Sequence, residues 1–368
     1  MNRVTDQGLW IESDLPLSGT SQWAIPLRLV WAVSEGEAAD LGSVSPLLAG
    51  NLETIRDIYA AWIDGGHRIP LNYQFTSDFG APVKGVSVFF SGGVDSFYSL
   101  IKHRDEVDNL VLVNGFDVPL ADTKTFAQAE VQAREAARIF EKQLIVVRIN
   151  LRWERPSLPI MTNLRWEWPH VPGGWGMYHG AALAAIAQAL APNHGKVYIA
   201  SSHSYADLHP HASHPLLDPL WSTEAVQIVH DGGETRMDKL RTVIQYPEAL
   251  SRLRVCFENL GDYNCGLCEK CVRTMLGLRA LGVDRCAAFP DTLTPKLVRE
   301  QELNSDNVLL WRELLRAGLP PAFHAAVRST IHTYDADLPL RTGKFKRGVK
   351  RWLYAARNAG KALISAAN

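Results

Sequence analysis

Two short segments of this 368-residue chain carry residue types whose spacing suits chemistry rather than packing. The first is Ser91-Gly92-Gly93-Val94-Asp95-Ser96, which follows the apolar run GVSVFF and precedes FYSLIKHR. Two glycines let backbone N–H groups close on a phosphate, a following helix turns its positive end to the same point, and the hydroxyls of Ser91 and Ser96 add donors. Asp95 does not suit an anion site by itself. A carboxylate beside phosphates is explained if it shares a Mg2+ ion with them. No GxxxxGK[ST] occurs, so the loop is not of the Walker type, and the plain alternative is a Gly-rich turn.

The second segment holds Cys256, Cys265, Cys268 and Cys271, spaced C-x8-C-x2-C-x2-C, four of the five cysteines in the chain. Four soft ligands in so short a stretch suit a closed tetrahedral site, which favours structural zinc. Iron–sulfur ligation is the rival, and four unrelated buried thiols the bland reading. Cys286 is expected to be a lone buried thiol.

Other residues invite weaker readings. The stretch Leu151–Gly176 holds Arg152, Arg155, Arg165 and four tryptophans, Trp153, Trp166, Trp168 and Trp175, which suit stacking on a planar ring and a bidentate hold on a carboxylate. The same residues also suit a surface crossover packed on the domain. His203, His209, His211 and His214 follow KVYIASS beside Asp207 and Asp218. No helical spacing organises these histidines, so substrate binding or proton transfer is preferred to a second metal site. Glu224, Asp231 and Glu234 read as surface charges.

The elements that must position these residues are legible as patterns. GVSVFF, NLVLVNG, QLIVVRIN and KVYIASS read as parallel strands separated by helical segments, one marked by Phe126, Ala129, Ala133, Ala137 and Phe140 and another running from Met177 to Ala191. This predicts an α/β doubly wound parallel sheet over residues 81–290, with ligands at the carboxyl ends of its strands. Residues 1–80 read as a small α+β unit with strands at SQWAIPLRLVWAV and RIPLNYQF and a helix around Leu52, Ile55, Tyr59 and Trp62, stopped by Gly65-Gly66. Residues 291–368 read as helical.

With 38 Lys+Arg against 39 Asp+Glu and 46% hydrophobic residues, the composition excludes a disordered chain and a generally polyanion-seeking surface. The start, MNRVTDQGLWIE, lacks an apolar core for a secretory signal, and the apolar stretch Gly176–Pro192 falls short of a membrane span, so a cytoplasmic protein is expected. A homo-oligomer is compatible with all of this. Between Arg341 and Asn368 there are eight basic residues and no acidic one. Phe345, Val349, Trp352, Leu353 and Ala356 line one face of a helix there, which suits packing on the domain, a peripheral membrane or a protein partner better than nucleic acid.

Ser91–Ser96 resembles the SGGxDS signature of the PP-loop ATP pyrophosphatase superfamily. Together with the four cysteines it is similar to the 7-cyano-7-deazaguanine synthase family, zinc enzymes of queuosine and deazapurine synthesis. Asp238-Lys239, in TRMDKLRTV, resembles the Asp-Lys step before that family's zinc segment. The likeness spans residues 81–285.

It implies ATP, Mg2+ and Zn2+ as cofactors. ATP is expected on Ser91, Gly92, Gly93, Val94, Asp95 and Ser96, with the backbone at Val113 and Asn114 edging the adenine. Asp95, Ser96 and Lys239 are expected to be catalytic. The implied reaction is adenylation of a heteroaromatic carboxylate with release of pyrophosphate, then attack by ammonia to give an amide and, on repetition, a nitrile. The chain departs from the family at Pro172-Gly173-Gly174-Trp175, in place of Pro-Gly-Arg-Asn, and at SHPLLDPLW, in place of Ser-Gly-Tyr-Pro-Asp. Both are substrate-side positions, so a relative of 7-carboxy-7-deazaguanine is expected alongside that acid itself. A tRNA-thiolating enzyme and a catalytically silent nucleotide-binding scaffold are the alternatives.

Overall fold

The computed structural model describes residues 1–63, 66–80, 83–151, 175–258, 263–305 and 307–341. Its centre is a seven-stranded sheet built from β1 (Asn2–Asp6), β2 (Leu9–Ser13), β5 (Val86–Phe89), β6 (Asn109–Asn114), β7 (Gln143–Ile149), β8 (Lys196–Ala200) and β9 (Gln227–Asp231), in the order β1-β2-β7-β6-β5-β8-β9. The five strands from β7 to β9 are parallel, and only β2 runs against them, pairing antiparallel with β1 on one side and with β7 on the other, where Ile11 lies opposite Ile149. All four strands expected from apolar runs are present. The fifth, β9, escaped notice because QIVHD has too few apolar residues to mark a strand.

Alternation along the strands divides the core between the two faces. Phe89, Val111, Ile145, Val147 and Val197 join α1 (Ile25–Glu35), α2 (Pro46–Trp62) and α5 (Trp175–Ala189) on one face. Val88, Leu110, Leu112 and Tyr198 join α3 (Val94–Lys102), α4 (Thr123–Ile139), α6 (Arg236–Val243) and α7 (Glu269–Ala280) on the other. The chain moves outward from β5 through β6 to β7, then returns past β5 to lay down β8. Loops after β5 and β8 therefore part at this reversal, the position at the carboxyl edge where open α/β sheets bind their ligands.

The N-terminal residues depart from expectation. The run 21–33 is not a strand but a 3-10 turn, Ser21–Ala24, leading into α1. Its β-branched and aromatic residues suggested a strand. However, Ile25, Leu29 and Val33 are fully buried at helical spacing, Pro26 opens the helix, and Gly36 closes it at φ +74°. The strand expected in RIPLNYQF is β4 (Leu71–Phe75), which pairs in parallel with β3 (Ala39–Val44) as a separate two-stranded sheet. The helix marked by Leu52, Ile55 and Tyr59 is α2, which buries all three. Residues 1–80 share one core with the main sheet, since β2, α1 and α2 pack in the same cluster as α5.

The Ala-rich run is α5, a core helix, and among the described residues no helix is long and apolar enough to cross a membrane. A Cβ on its Gly180 would lie 2.0 Å from the carbonyl oxygen of Ala212, so the missing side chain lets the 203–214 loop close on the helix. Gly180→Ala is expected to cost about 1–3 kcal/mol in urea denaturation by forcing that loop away. The C-terminal region is helical at Pro295–Arg299, Val308–Leu314 and Pro321–Arg341, as expected. Phe345, Val349, Trp352, Leu353 and Ala356 lie outside the described residues, as do Gly65 and 152–174.

Candidate phosphate loop and metal centre

Strand β5 delivers Ser91–Ser96 to the carboxyl edge of the sheet, and α3 starts within the motif at Val94. Gly92 adopts φ +77°, which favours glycine, and its carbonyl accepts a 2.8 Å hydrogen bond from the Arg254 N–H. Ser91 Oγ accepts from the Gly93 N–H at 3.3 Å, and Ser96 Oγ donates to the Gly93 carbonyl at 3.0 Å. The loop is thus shaped before any ligand arrives.

Asp95 lies in the first turn of α3, and two cations close on it from α6. Arg236 Nη1 donates to Oδ2 at 2.5 Å and Lys239 Nζ to Oδ1 at 3.2 Å. Arg236 and Lys239 sit three residues apart and so share one helix face. Lys239 is only 1% exposed and also donates to the Ser201 carbonyl at 2.5 Å, joining the loops after β5 and β8. Burial alone would push the Asp95 carboxyl up, but the charges of Arg236 and Lys239 outweigh it and hold it at about 2. The site carries one carboxylate and two cations, hence a surplus positive charge suited to polyphosphate. Arg236 was missed in the sequence, although its placement one turn before Lys239 was a usable signal. Val113 and Asn114 end β6, which is hydrogen-bonded to β5, and so reach the same edge of the sheet.

The four cysteines form one cluster, with their sulfur atoms all within 4.8 Å of one another. Cys268 caps the start of α7 and Cys271 lies in its first turn, while Cys256 comes from the extended stretch that also carries Arg254. Cys265 Sγ accepts from the N–H groups of Leu267 and Cys268 at 3.4 and 3.2 Å. Cys265 Sγ and Cys271 Sγ stand 3.9 Å apart, close to the roughly 3.8 Å expected between sulfurs on a tetrahedral zinc ion. Crowding against Cys256 pushes the Cys271 thiol far up and the Cys268 thiol to about 11. A bound cation relieves that repulsion, so the cluster could hold a metal such as zinc. Cys286 is half-buried rather than buried, with Sγ 3.3 Å from the Leu250 carbonyl.

Loop and cysteines are mechanically joined. Asn264 Oδ1 accepts from the N–H groups of Val255 and Cys256 at 2.8 and 3.1 Å, and its Nδ2 donates to the Leu253 and Ala288 carbonyls. The stretch that Asn264 fixes is the one whose Arg254 holds Gly92.

No protein-family model, curated protein or solved structure matches this chain.

The remaining expected residues divide. Trp175 meets Phe116, just beyond β6, edge-on at 4.9 Å, whereas Arg152, Trp153, Arg155, Arg165, Trp166 and Trp168 lie outside the described residues. Asp231 is not a surface charge. It is buried, accepts from Ser99 Oγ at 2.6 Å and pairs with Lys102 at 3.0 Å. Glu224 accepts from the Leu47 N–H at the start of α2, and Glu234 pairs with Lys102.

Proposed function

We propose that the protein is an ATP-dependent carbon–nitrogen ligase that adenylates a carboxylate, releases pyrophosphate and transfers the acyl group to ammonia. The observation that carries this reading is the convergence of Asp95, Arg236 and Lys239 on a shaped SGGVDS loop at the point where the strand order reverses. In this reading the loop N–H groups and Ser91 and Ser96 hold the departing pyrophosphate, while Arg236 and Lys239 turn from Asp95 to the charge growing on it. An ionised Asp95 fits Mg2+, which would neutralise the phosphates when bound there. The adenine lies against the backbone at Val113 and Asn114.

Adenylation exchanges a poor oxide leaving group for AMP, which makes attack by ammonia feasible. Trp175 and Phe116 favour a planar, heteroaromatic acid, with 7-carboxy-7-deazaguanine the first compound to try, and repetition on the amide yields a nitrile. The closed, crowded cysteines favour structural zinc over a redox role.

The test is a panel of carboxylic acids, including 7-carboxy-7-deazaguanine, incubated with MgATP and ammonium while AMP and pyrophosphate are measured. Acid-dependent formation of both in equal amounts is expected. Release of ADP and phosphate, or no turnover with any acid, overturns the reading.

A further inference from the structure

The loop after β8 gathers histidines that the adenylation step does not use. His211 meets His203 edge-on at 4.9 Å and His179 of α5 at 4.6 Å. Nδ1 of His211 lies 3.3 Å from the Ser213 carbonyl, and a carbonyl only accepts, so this nitrogen bears the proton and Nε2 presents a lone pair. His230 of β9 is fixed in the same way by Asp218, with Nδ1 2.7 Å from Oδ2, and Asp218 also accepts from Ser213 Oγ at 2.8 Å. The His230 side chain is 3% exposed, and its Nε2 has no partner among the described residues. The buried Nδ1 of His203 has none either.

His203 lies beside the phosphate loop, near enough for the charges of Asp95 and Lys239 to act on its ring. Ser201, whose carbonyl holds Lys239, donates its hydroxyl to the His203 carbonyl at 2.6 Å. Imidazole lone pairs repel anions. A metal ion is disfavoured by Lys239, and among the described residues only the cysteines bring three or more ligand atoms within 4.8 Å of one another. A small uncharged N–H donor is the ligand that fits.

We propose that His203 and His211, whose rings meet edge-on at 4.9 Å, hold ammonia as its free base and present it to the acyl adenylate. This rests on the ligase reading above. The N–H groups of ammonia donate to the imidazole nitrogens, which leaves its own lone pair for the acyl carbon. The new C–N bond forms as the acyl C–O bond to AMP breaks, with that electron pair leaving on AMP. The surplus proton of the nitrogen passes to an imidazole and on to water.

Burial, reinforced by His211, His209 and Lys239 and opposed by Asp95, pushes the His203 imidazole down to about 3. Burial likewise holds His211 at about 4, with His209, His214 and His230 adding to it. Both rings are therefore neutral at pH 7 and available as acceptors. The anionic acyl phosphate raises their basicity at the moment of transfer.

The experiment compares ammonium with hydroxylamine, which is already neutral at pH 7, in the full-length protein and in His203→Asn and His211→Asn. The acid is 7-carboxy-7-deazaguanine or the panel acid that releases pyrophosphate. The ratio of amide to hydroxamate is expected to fall by about tenfold or more in both variants, and the deficit to narrow as pH rises from 7 to 9 and free ammonia accumulates. Partial misfolding lowers both products together and leaves the ratio readable. An unchanged ratio in both variants overturns the ammonia site alone. A wild-type protein that releases no pyrophosphate overturns the ligase reading beneath it.

Discussion

Asp95→Asn is expected to lower pyrophosphate release by about 10²–10³-fold or more. The amide keeps the shape of the side chain but offers no negative charge to Mg2+, and it leaves Arg236 and Lys239 without the anion that aims them at the loop. Stability changes as well. Lys239 is almost wholly buried, and removing its charged partner is expected to cost up to about 3–5 kcal/mol at neutral pH, moderated by its bond to Ser201.

The sign follows from the depressed carboxyl. Asp95 is held at about 2 against an ordinary 3.8, so its contribution is fully present above about pH 4 and is lost as pH falls through 2, an increment of about 2 kcal/mol. The variant should lack that acid-sensitive increment. Guanidinium denaturation between pH 2 and pH 7 measures it, and a coupled pyrophosphate assay measures turnover. Full turnover in a folded variant removes Asp95 from the site.

Cys271→Ser is expected to have the largest effect on stability. Cys271 is fully buried and shares the cluster with Cys256, Cys265 and Cys268, so loss of one thiolate opens the coordination and returns binding free energy that otherwise contributes to folding. A loss of several kcal/mol is expected, seen as a lower melting temperature and a metal content falling from one per chain towards none.

Activity should fall with the metal, because Cys256 lies two residues beyond Arg254, whose N–H grips Gly92, and Asn264 spans the stretch between them. A strong chelator applied to the wild-type protein should reproduce both losses. Elemental analysis that finds iron and sulfide in place of zinc would transfer the site to the redox alternative. Stability unaltered in Cys271→Ser would remove its structural role.

The sequence by itself determined the parts whose chemistry is local. SGGVDS between an apolar run and a helical segment specified a strand, a tight glycine loop and a helix start, because Gly92 takes a left-handed φ that few other residues adopt and the segments on either side carry their own strand and helix patterns. The cysteine spacing specified a ligand cluster for the same reason. The parallel strands β5, β6 and β8 were legible because they are buried on both faces and read as apolar runs, and β7 because its core LIVV is apolar although only alternate residues are fully buried.

Tertiary structure decided what depends on residues distant in the chain. The run 21–33 became a helix because its apolar residues pack on α5 at helical spacing, against their intrinsic β preference. β9 was assigned by pairing with β8 rather than by its own composition. Arg236 and Lys239 meet Asp95 across 141 and 144 residues, and Arg254 reaches Gly92 across 162, contacts that no local pattern encodes. The histidines gather because the missing Cβ at Gly180 lets their loop press onto α5, a close approach set by chain folding and not by sequence spacing.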